Sequence, residues 1–343
     1  MTIEKRKNPL RQFVDKWQEN PLISTGTVLI LMIIIQTIAL GFNYASFGEW
    51  FTNWGKNWIN ILRNNAGVGI VALGMTFVII SGGIDLAVGS TLVAVGAIMM
   101  VLINSNAAGV LTAVGITGVP AFIIGIAAAL LAGAAIGGIN GVLIARSKIP
   151  AFIATLGMMK ICRSVTQQFT QTVGVKVPRD FLAIANTRIG GEIILPIIYW
   201  FVIALLLHIV SKRTTFGRHV YAIGSNERAA RLSGVNVERV KTLIYVLSGV
   251  LVAITAVIQI ARIGSMDYAN AGSGYEMDAI AAVVVGGTSM SGGKGSILGT
   301  VLGMLIIAVM NNLLNLIGVP PFLREAFKGF IVVAAVMLQK KEK

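Results

Sequence analysis

Charged side chains are scarce in this chain. Asp, Glu, Lys and Arg make up 12% of its 343 residues, whereas hydrophobic residues make up 55%. A water-soluble domain of this length needs a larger charged surface, so the composition excludes one. Cysteine and histidine are also scarce, with one and two copies. Cys162 lies in an apolar stretch and is expected to be a packing residue, and the sequence offers neither a disulfide framework nor a metal site.

Long apolar runs make up most of the sequence. A membrane-spanning helix needs about 20 apolar residues, and ten such stretches, some interrupted by glycine, follow one another. They predict an all-α polytopic membrane helix bundle of about ten transmembrane helices, or of eight with re-entrant pieces, in a single domain over 22–339. The predicted spans are 22–42, 62–81, 86–104, 120–145, 149–172, 193–210, 243–263, 278–290, 296–317 and 323–339.

The net charge of +14 sits at the ends of the spans, which argues against nucleic-acid binding. Cytoplasmic loops of membrane proteins carry an excess of Lys and Arg. That rule places segment 1–21, the loop 211–242 and the tail 340–343 in the cytoplasm, so both termini are expected there. The basic residues that fall on the opposite side are Lys56, Arg63, Lys176, Arg179 and Arg188.

A glycine-rich break, SGGIDLAVGS at 81–90, separates the second and third spans. Its carboxylate, Asp85, can accept hydrogen bonds from backbone N–H groups that the break frees, cap the following helix or contact a solute. A capping or structural role is favoured over direct contact with a solute. The segment GGTSMSGGKGS at 286–296 resembles it in its leading GG and closing GS, which indicates a weak internal duplication. Paired glycine-broken segments point to a transport path between repeats. Besides Asp85, the candidates to line that path are Asn65, Ser90, Asn140, Thr155 and Asn311.

Few other charges lie within the spans. Lys160 and Arg163, three residues apart in the fifth span, either reach towards the interface or line water. Glu276 and Asp278 are expected at a membrane edge. The interior spans therefore offer little for proton or sodium coupling.

A row of indoles lies between the first two spans. Trp50, Trp54 and Trp58 recur at i, i+4 and i+8, which predicts that they share one face of a helix in the headgroup region. An aromatic belt is the favoured interpretation, and a partner-docking face is the alternative.

The loop 211–242 is patterned as well as basic. Ser225 or Asn226 can cap a short helix, and Gly234 can end it, before Asn236 caps the next helix. A short capped helix outside the membrane is a natural docking element for a soluble partner. A solvated loop with a positive-inside bias is the alternative. The residues expected to dock are Asn226, Glu227, Ala229, Ala230, Arg231, Leu232, Ser233 and Gly234.

Two motifs that would give this chain a catalytic activity of its own are incomplete. A phosphate-binding P-loop needs a glycine six residues before its lysine and Ser or Thr directly after it, whereas Thr288 and Gly295 hold those places around Lys294. A serine hydrolase would need Ser289 within hydrogen-bond reach of a histidine, and nothing in the sequence supports that. The chain is therefore expected to have no catalytic residues and to bind no cofactor.

Five stretches of the sequence form a recognisable combination: 69–90, 137–159, 214–235, 274–300 and the end around Lys328-Gly329. Together they resemble the permease subunits of bacterial ABC importers for monosaccharides, of the ribose-permease type. The resemblance extends along nearly the whole chain from about residue 60. The family usually has Ser where this chain has Ala87, and Lys160 is unusual at its position.

The resemblance implies a pore subunit in the bacterial cytoplasmic (inner) membrane. Such a subunit pairs with a second permease, as a homodimer or a paired homologue, and is surrounded by membrane lipid. A cytoplasmic ATPase subunit that binds ATP and Mg would dock on 226–234. A periplasmic or lipid-anchored binding protein would deliver the sugar, with Arg179 and Arg188 as its expected contacts. The rival reading is an autonomous carrier or channel, ion-coupled or passive, which predicts acidic residues inside the membrane.

Overall fold

The computed structural model describes residues 21–42, 44–106, 109–170 and 175–338, so most of segment 1–21 and all of the tail 340–343 lie outside it. The described part contains fourteen helices and one two-stranded hairpin. The helices are α1 Pro21–Leu40, α2 Phe47–Ile80, α3 Val88–Ile103, α4 Val110–Ala113, α5 Val119–Ala145, α6 Ala151–Thr170, α7 Arg179–Asn186, α8 Leu195–Arg213, α9 Thr215–Ser225, α10 Glu227–Leu232, α11 Val237–Ile263, α12 Tyr275–Val285, α13 Ile297–Leu316 and α14 Pro321–Leu338, and the strands are β1 Arg188–Ile189 and β2 Glu192–Ile193.

The prediction of an all-α polytopic membrane bundle is confirmed. Six helices, α1, α2, α5, α8, α11 and α13, are each long and apolar enough to cross a membrane. The four other predicted spans correspond to α3, α6, α12 and α14. The central helices α2, α11 and α13 are mostly buried, whereas α1, α5 and α8 turn large apolar side chains outwards, as helices that contact lipid do.

The connecting segments gather at two opposite ends. At one end, a cavity of about 290 Å³ is lined by residues of 81–83, 144–151 and 227–245. At the other end, the Lys176 N–H donates to Asn104, and Arg262 donates to the Arg63 carbonyl. The positive-inside rule assigns the first end, which carries the basic loop, to the cytoplasm.

The second predicted span is part of a longer helix. α2 starts at Phe47, where Ser46 accepts a hydrogen bond from the Glu49 N–H, and runs for 34 residues. The three tryptophans therefore belong to the outer half of α2, not to a separate interfacial helix. The Trp54 ring lies 6.5 Å from that of Trp50, and its N–H donates to Thr37 of α1. This aromatic row attaches α2 to α1.

The predicted span 278–290 is not a complete helix. α12 has 11 residues, which is about 17 Å and too short to cross a bilayer core of about 30 Å. The irregular segment 264–274 precedes it, and the glycine-rich segment 286–296 follows it. The eighth crossing therefore combines the irregular segment 264–274 with the half-helix α12.

Glycines let α5 and α11 pack backbone to backbone. A Cβ at Gly133 would overlap the Gly249 carbonyl, and a Cβ at Gly137 would overlap the Tyr245 carbonyl. Small residues at a helix interface allow this close approach, which the GxxxG spacing of Gly133 and Gly137 predicts. The contact holds α11, and with it the loop 211–242, in a fixed position on the bundle.

Replacing one glycine of this contact should destabilise the bundle selectively. Gly137→Ala adds a methyl group against the Tyr245 carbonyl and should cost about 1–3 kcal/mol through overpacking. Gly138→Ala is the matched control, because its new Cβ would meet only the Val246 side chain at 3.5 Å. Thermal unfolding of both variants in detergent should show a lower midpoint for Gly137→Ala only. Equal midpoints would refute the close contact.

Candidate translocation path and docking surface

Two interrupted crossings meet inside the membrane. α3 starts at Val88 and has 16 residues, so its first turn lies about 24 Å from its outer end, deep in the hydrocarbon core. A Cβ on Gly89 in that turn would overlap the Gly272 carbonyl and lie 2.9 Å from Glu276. The segment 264–274 therefore descends from the outer end to this depth. Glu276 lies there too, and its predicted position at a membrane edge is wrong.

Asp85 supports the first interruption from within the protein. Its side chain is only 5% exposed. One carboxylate oxygen accepts the Ala87 N–H and the other accepts the Ser248 hydroxyl, each at 3.0 Å. Ala87 occupies the N-cap position of α3, so Asp85 does not cap that helix. It instead accepts a backbone N–H of the break, which is the structural alternative that the sequence offered. Both oxygens of this carboxylate are thus used in holding the break against α11.

Arg163 supports the second interruption. Its guanidinium donates to the carbonyls of Tyr268, Ala269 and Ala271 at 3.3, 3.1 and 2.9 Å. These carbonyls have no helical partner, because the segment 264–274 is irregular. Backbone groups at membrane depth must be satisfied by protein or water, and Arg163 of α6 supplies that bond. These backbone contacts are a role that the sequence did not predict for Arg163.

The two glycine-rich segments touch at the cytoplasmic end. The Gly293 N–H donates to the Ile80 carbonyl at 2.9 Å. α9 packs on this junction, since a Cβ at Gly224 would overlap the Ile80 carbonyl. The Tyr221 hydroxyl of α9 donates to the Gly295 carbonyl at 2.9 Å. The cytoplasmic loop therefore contacts the backbone of Ile80, directly before the first glycine-rich segment, and of Gly295 in the second.

The short helix predicted in the cytoplasmic loop is present as α10. Asn226 accepts the Ala229 N–H at 2.9 Å as its N-cap, and Gly234 follows its end with a φ of 84°. Asn236 caps α11 as predicted. The helix α9, which Thr214 caps, was not predicted. Thr214 directly follows the basic end of an apolar span, so the sequence did not indicate that it caps a helix.

Ion pairs brace α10 against α11. Glu227 pairs with Lys241 at 2.6 Å, and Arg231 pairs with Glu238 at 2.5 Å. The hydrogen bond from Lys241 holds the pKa of the Glu227 carboxyl below its usual range, and that from Arg231 does the same for the pKa of Glu238. Ala230 is buried beneath the helix, whereas Leu232 is 89% exposed. The outward face of α10 is thus presented on a fixed support.

The other residues predicted for the path are dispersed through the bundle. Asn65 donates to the Ile61 carbonyl and Thr155 to the Ala151 carbonyl, each within its own helix. Ser90 and Asn140 are buried, with 3% and 1% exposure. No described residue donates to Oδ1 of Asn140 or Asn311. On the outer side, Arg179 at the start of α7 and Arg188 in β1 are both exposed.

An exposed polar face lies beside the interrupted crossings. The sequence pattern indicates only part of it. It consists of Lys160, Ser164 and Gln168 on α6 and of Asn270 and Ser273 in the irregular segment, all of them exposed. Arg163 joins the two parts. The i, i+4, i+8 spacing on α6 was a usable signal, but the contribution of 264–274 depends on a tertiary contact. We call these five residues the polar face.

The sequence of the chain also matches a known protein family. The sequence profile of the family described as branched-chain amino acid transport system / permease component matches residues 57–336. The chain belongs to this permease family. The matched range includes both interrupted crossings, the polar face and α10. The protein is therefore a multi-pass membrane component of a transport system.

Named relatives cover almost the full length of the permease. The ribose import permease protein of Escherichia coli K12 is 38% identical over 342 residues, which is 97% of each chain. That of Bacillus subtilis is 42% identical over 83% of this chain and 85% of its own. The xylose transport system permease protein of Haemophilus influenzae is 34% identical over 92% and 96%. No solved structure matches the chain.

Acid should loosen α10 from its support. The folded-state pKa values of Glu227 and Glu238 are lowered. Their ion pairs therefore stabilise the folded form fully above the ordinary carboxylate pKa of about 4.3. This stabilisation is lost as the pH falls through the folded-state pKa values. Amide exchange of 226–234, corrected for the intrinsic rate, should become faster below about pH 4. The double variant Glu227→Gln, Glu238→Gln should already exchange fast at pH 7. Equal protection in both proteins at pH 7 would contradict the bracing role.

Proposed function

We propose that the chain is the membrane-spanning pore subunit of an ATP-binding-cassette importer that moves a monosaccharide across the bacterial cytoplasmic membrane. The permease family supplies the general role. The relatives named for ribose, xylose and galactose support a sugar as cargo. The structural observation that carries the proposal is α10, an exposed and braced helix on the cytoplasmic side that contacts the membrane interior through α9.

The translocation path follows the polar face, which a second permease covers. Polar side chains and irregular backbone at membrane depth cannot face lipid and require protein or a water-filled cavity. In the segment 264–274, Asn270 and Ser273 are exposed on the surface of the bundle. A second copy that places its own polar face opposite would enclose a wet path between the two. The sequence-predicted residues Asn65, Asp85, Ser90, Asn140, Thr155 and Asn311 then shape the walls behind it.

A cytoplasmic ATPase subunit docks on α10 and carries the energy-yielding chemistry. ATP and Mg bind to that partner, and this chain contributes no catalytic residue. A displacement of α10 reaches the membrane through Tyr221, which bonds to Gly295, and Gly224, which packs on Ile80. The contact surface is the exposed part of 226–234, with Leu232 at its centre, while the buried Ala230 anchors it.

On the outer side, a periplasmic or lipid-anchored binding protein delivers the sugar. Arg179 and Arg188 are exposed there, and they suit acidic residues on that protein. Electrostatic pairs of this kind favour rapid association and depend on ionic strength.

An autonomous carrier or channel is the rival function. Ion coupling would need free acidic groups in the membrane. Asp85 is bonded to Ser248, Asp278 is paired with Lys328 at 3.0 Å, and Glu276 lies in the field of Arg163. Uptake by vesicles decides between the two. We expect vesicles with the permease alone to take up no sugar, and uptake to require the ATPase, the binding protein and ATP. Uptake by the permease alone would refute the importer.

Gly234→Val should uncouple ATP hydrolysis from uptake. Gly234 has a φ of 84° with open space around it, so a β-branched side chain adds backbone strain of about 1–3 kcal/mol without a clash. The strain would tilt α10 on its support. The assay measures sugar imported per ATP hydrolysed in the reconstituted complex. Gly318→Val is the control, because Gly318 has a φ of 78° and open space but lies in the outer turn before α14. An unchanged ratio in Gly234→Val would contradict the docking assignment.

Charge reversal on the outer face should weaken the binding protein. Arg179→Glu with Arg188→Glu should slow its association at low salt, with a smaller effect at high salt because salt screens exposed charges. Lys56→Glu on the outer half of α2 serves as the control. Association rates can be measured on the permease in nanodiscs. If the double variant associates as fast as the unaltered protein at low salt, these arginines are not the docking site.

A further inference from the structure

Lys160 is a charge in an unusual place. It lies at the midpoint of α6, which spans Ala151–Thr170, so each helix end is about 14 Å away, farther than a lysine side chain reaches. A lysine at the centre of a membrane helix is strongly disfavoured unless it meets water or a polar partner. Its side chain is exposed, and no acidic residue of the described chain forms an ion pair with it. A wet path is the environment that accommodates it.

The other charges at this depth already have partners. Arg163, one turn further along α6, donates to three carbonyls of 268–271 and lies in the field of Glu276. Asp85 is bonded to Ser248, and Asp278 is paired with Lys328. Asp267, nearer the outer end, accepts the N–H groups of Ala269 and Asn270 in its own turn. Lys160, at the centre of the polar face, therefore has no ion-pair partner in the described part of the chain.

We propose that Lys160 binds an anionic group of the transported sugar, so that the cargo is a monosaccharide bearing a carboxylate or a phosphate. This inference rests on the proposed function and narrows its substrate class. Two facing copies would present two ammonium groups to one anion. Hydrogen bonds between charged groups are short and strong, and a narrow path between protein walls raises their strength above that in bulk water. A neutral sugar would occupy the same hydroxyl contacts but leave the charge unbalanced.

The first test asks whether position 160 faces water. Lys160→Cys is made in a Cys162→Ala background, because Cys162 is the chain's one native cysteine. Its control is Leu205→Cys on the outward, apolar side of α8, where Leu205 is 61% exposed. The charged thiol reagent methanethiosulfonate ethylsulfonate should label position 160 of the paired permease in nanodiscs and leave position 205 unlabelled. Labelling of neither site would place Lys160 against lipid and overturn the inference.

The second test compares three probes: galactose, galacturonate and galactose 6-phosphate. Saturation-transfer NMR on the permease in nanodiscs should show at least about tenfold tighter binding of one or both anions than of galactose, as a charged hydrogen bond supplies. Preference for galacturonate identifies a carboxylate, and preference for the phosphate identifies a phosphoryl group. Lys160→Gln should abolish the preference, Lys160→Arg should keep it, and Lys56→Gln is the unaffected control.

Equal binding of all three probes, or an anion preference that survives in Lys160→Gln, would overturn the inference. The proposed function is judged separately, by whether uptake needs the ATPase and ATP. An importer that moves neutral sugar with no anion preference would keep the proposed function and remove the role given to Lys160.

Discussion

The hydrogen bonds of the backbone set the strongest constraint on this structure. In the hydrocarbon core no water satisfies a free N–H or carbonyl, yet two crossings are interrupted there. The chain meets this need with a few devices. Asp85 accepts the N–H before α3, Arg163 donates to the carbonyls of 268–271, and Gly89 lies directly on Gly272. What these contacts do not cover must face a second protein surface or water, and this requirement locates the polar face.

The same irregular backbone connects the cytoplasmic surface to the membrane interior. α9 would clash with Ile80 if Gly224 carried a side chain, and its Tyr221 hydroxyl bonds to Gly295. α10 is fixed to α11 by two ion pairs, and α11 is locked to α5 by glycine contacts. A movement of α10 is therefore transmitted to tightly packed helices with few flexible connections. The glycine-rich segments 81–87 and 286–296 are the places where helical rigidity is missing.

Local patterns in the sequence predict α10 well, because its caps at Asn226 and Gly234 act over three or four residues. They also predict the apolar spans, whose hydropathy is a property of each stretch alone. They fail at Glu276, because its depth is decided by the descent of 264–274 along α3. At Asp85 they indicate a bond to a nearby backbone N–H but not the second partner, Ser248, which is 163 residues away. The polar face combines α6 with a distant segment, so sequence alone shows only half of it.

The short helices α3 and α12 both begin inside the membrane, and each carries a partial positive charge at its first turn from its aligned peptide dipoles. An acid accompanies each start, Asp85 just before α3 and Glu276 in the opening turn of α12. In their ionised forms these carboxyl groups are counter-ions for two converging dipoles. Replacing either one with its amide would then leave this part of the membrane interior more electropositive.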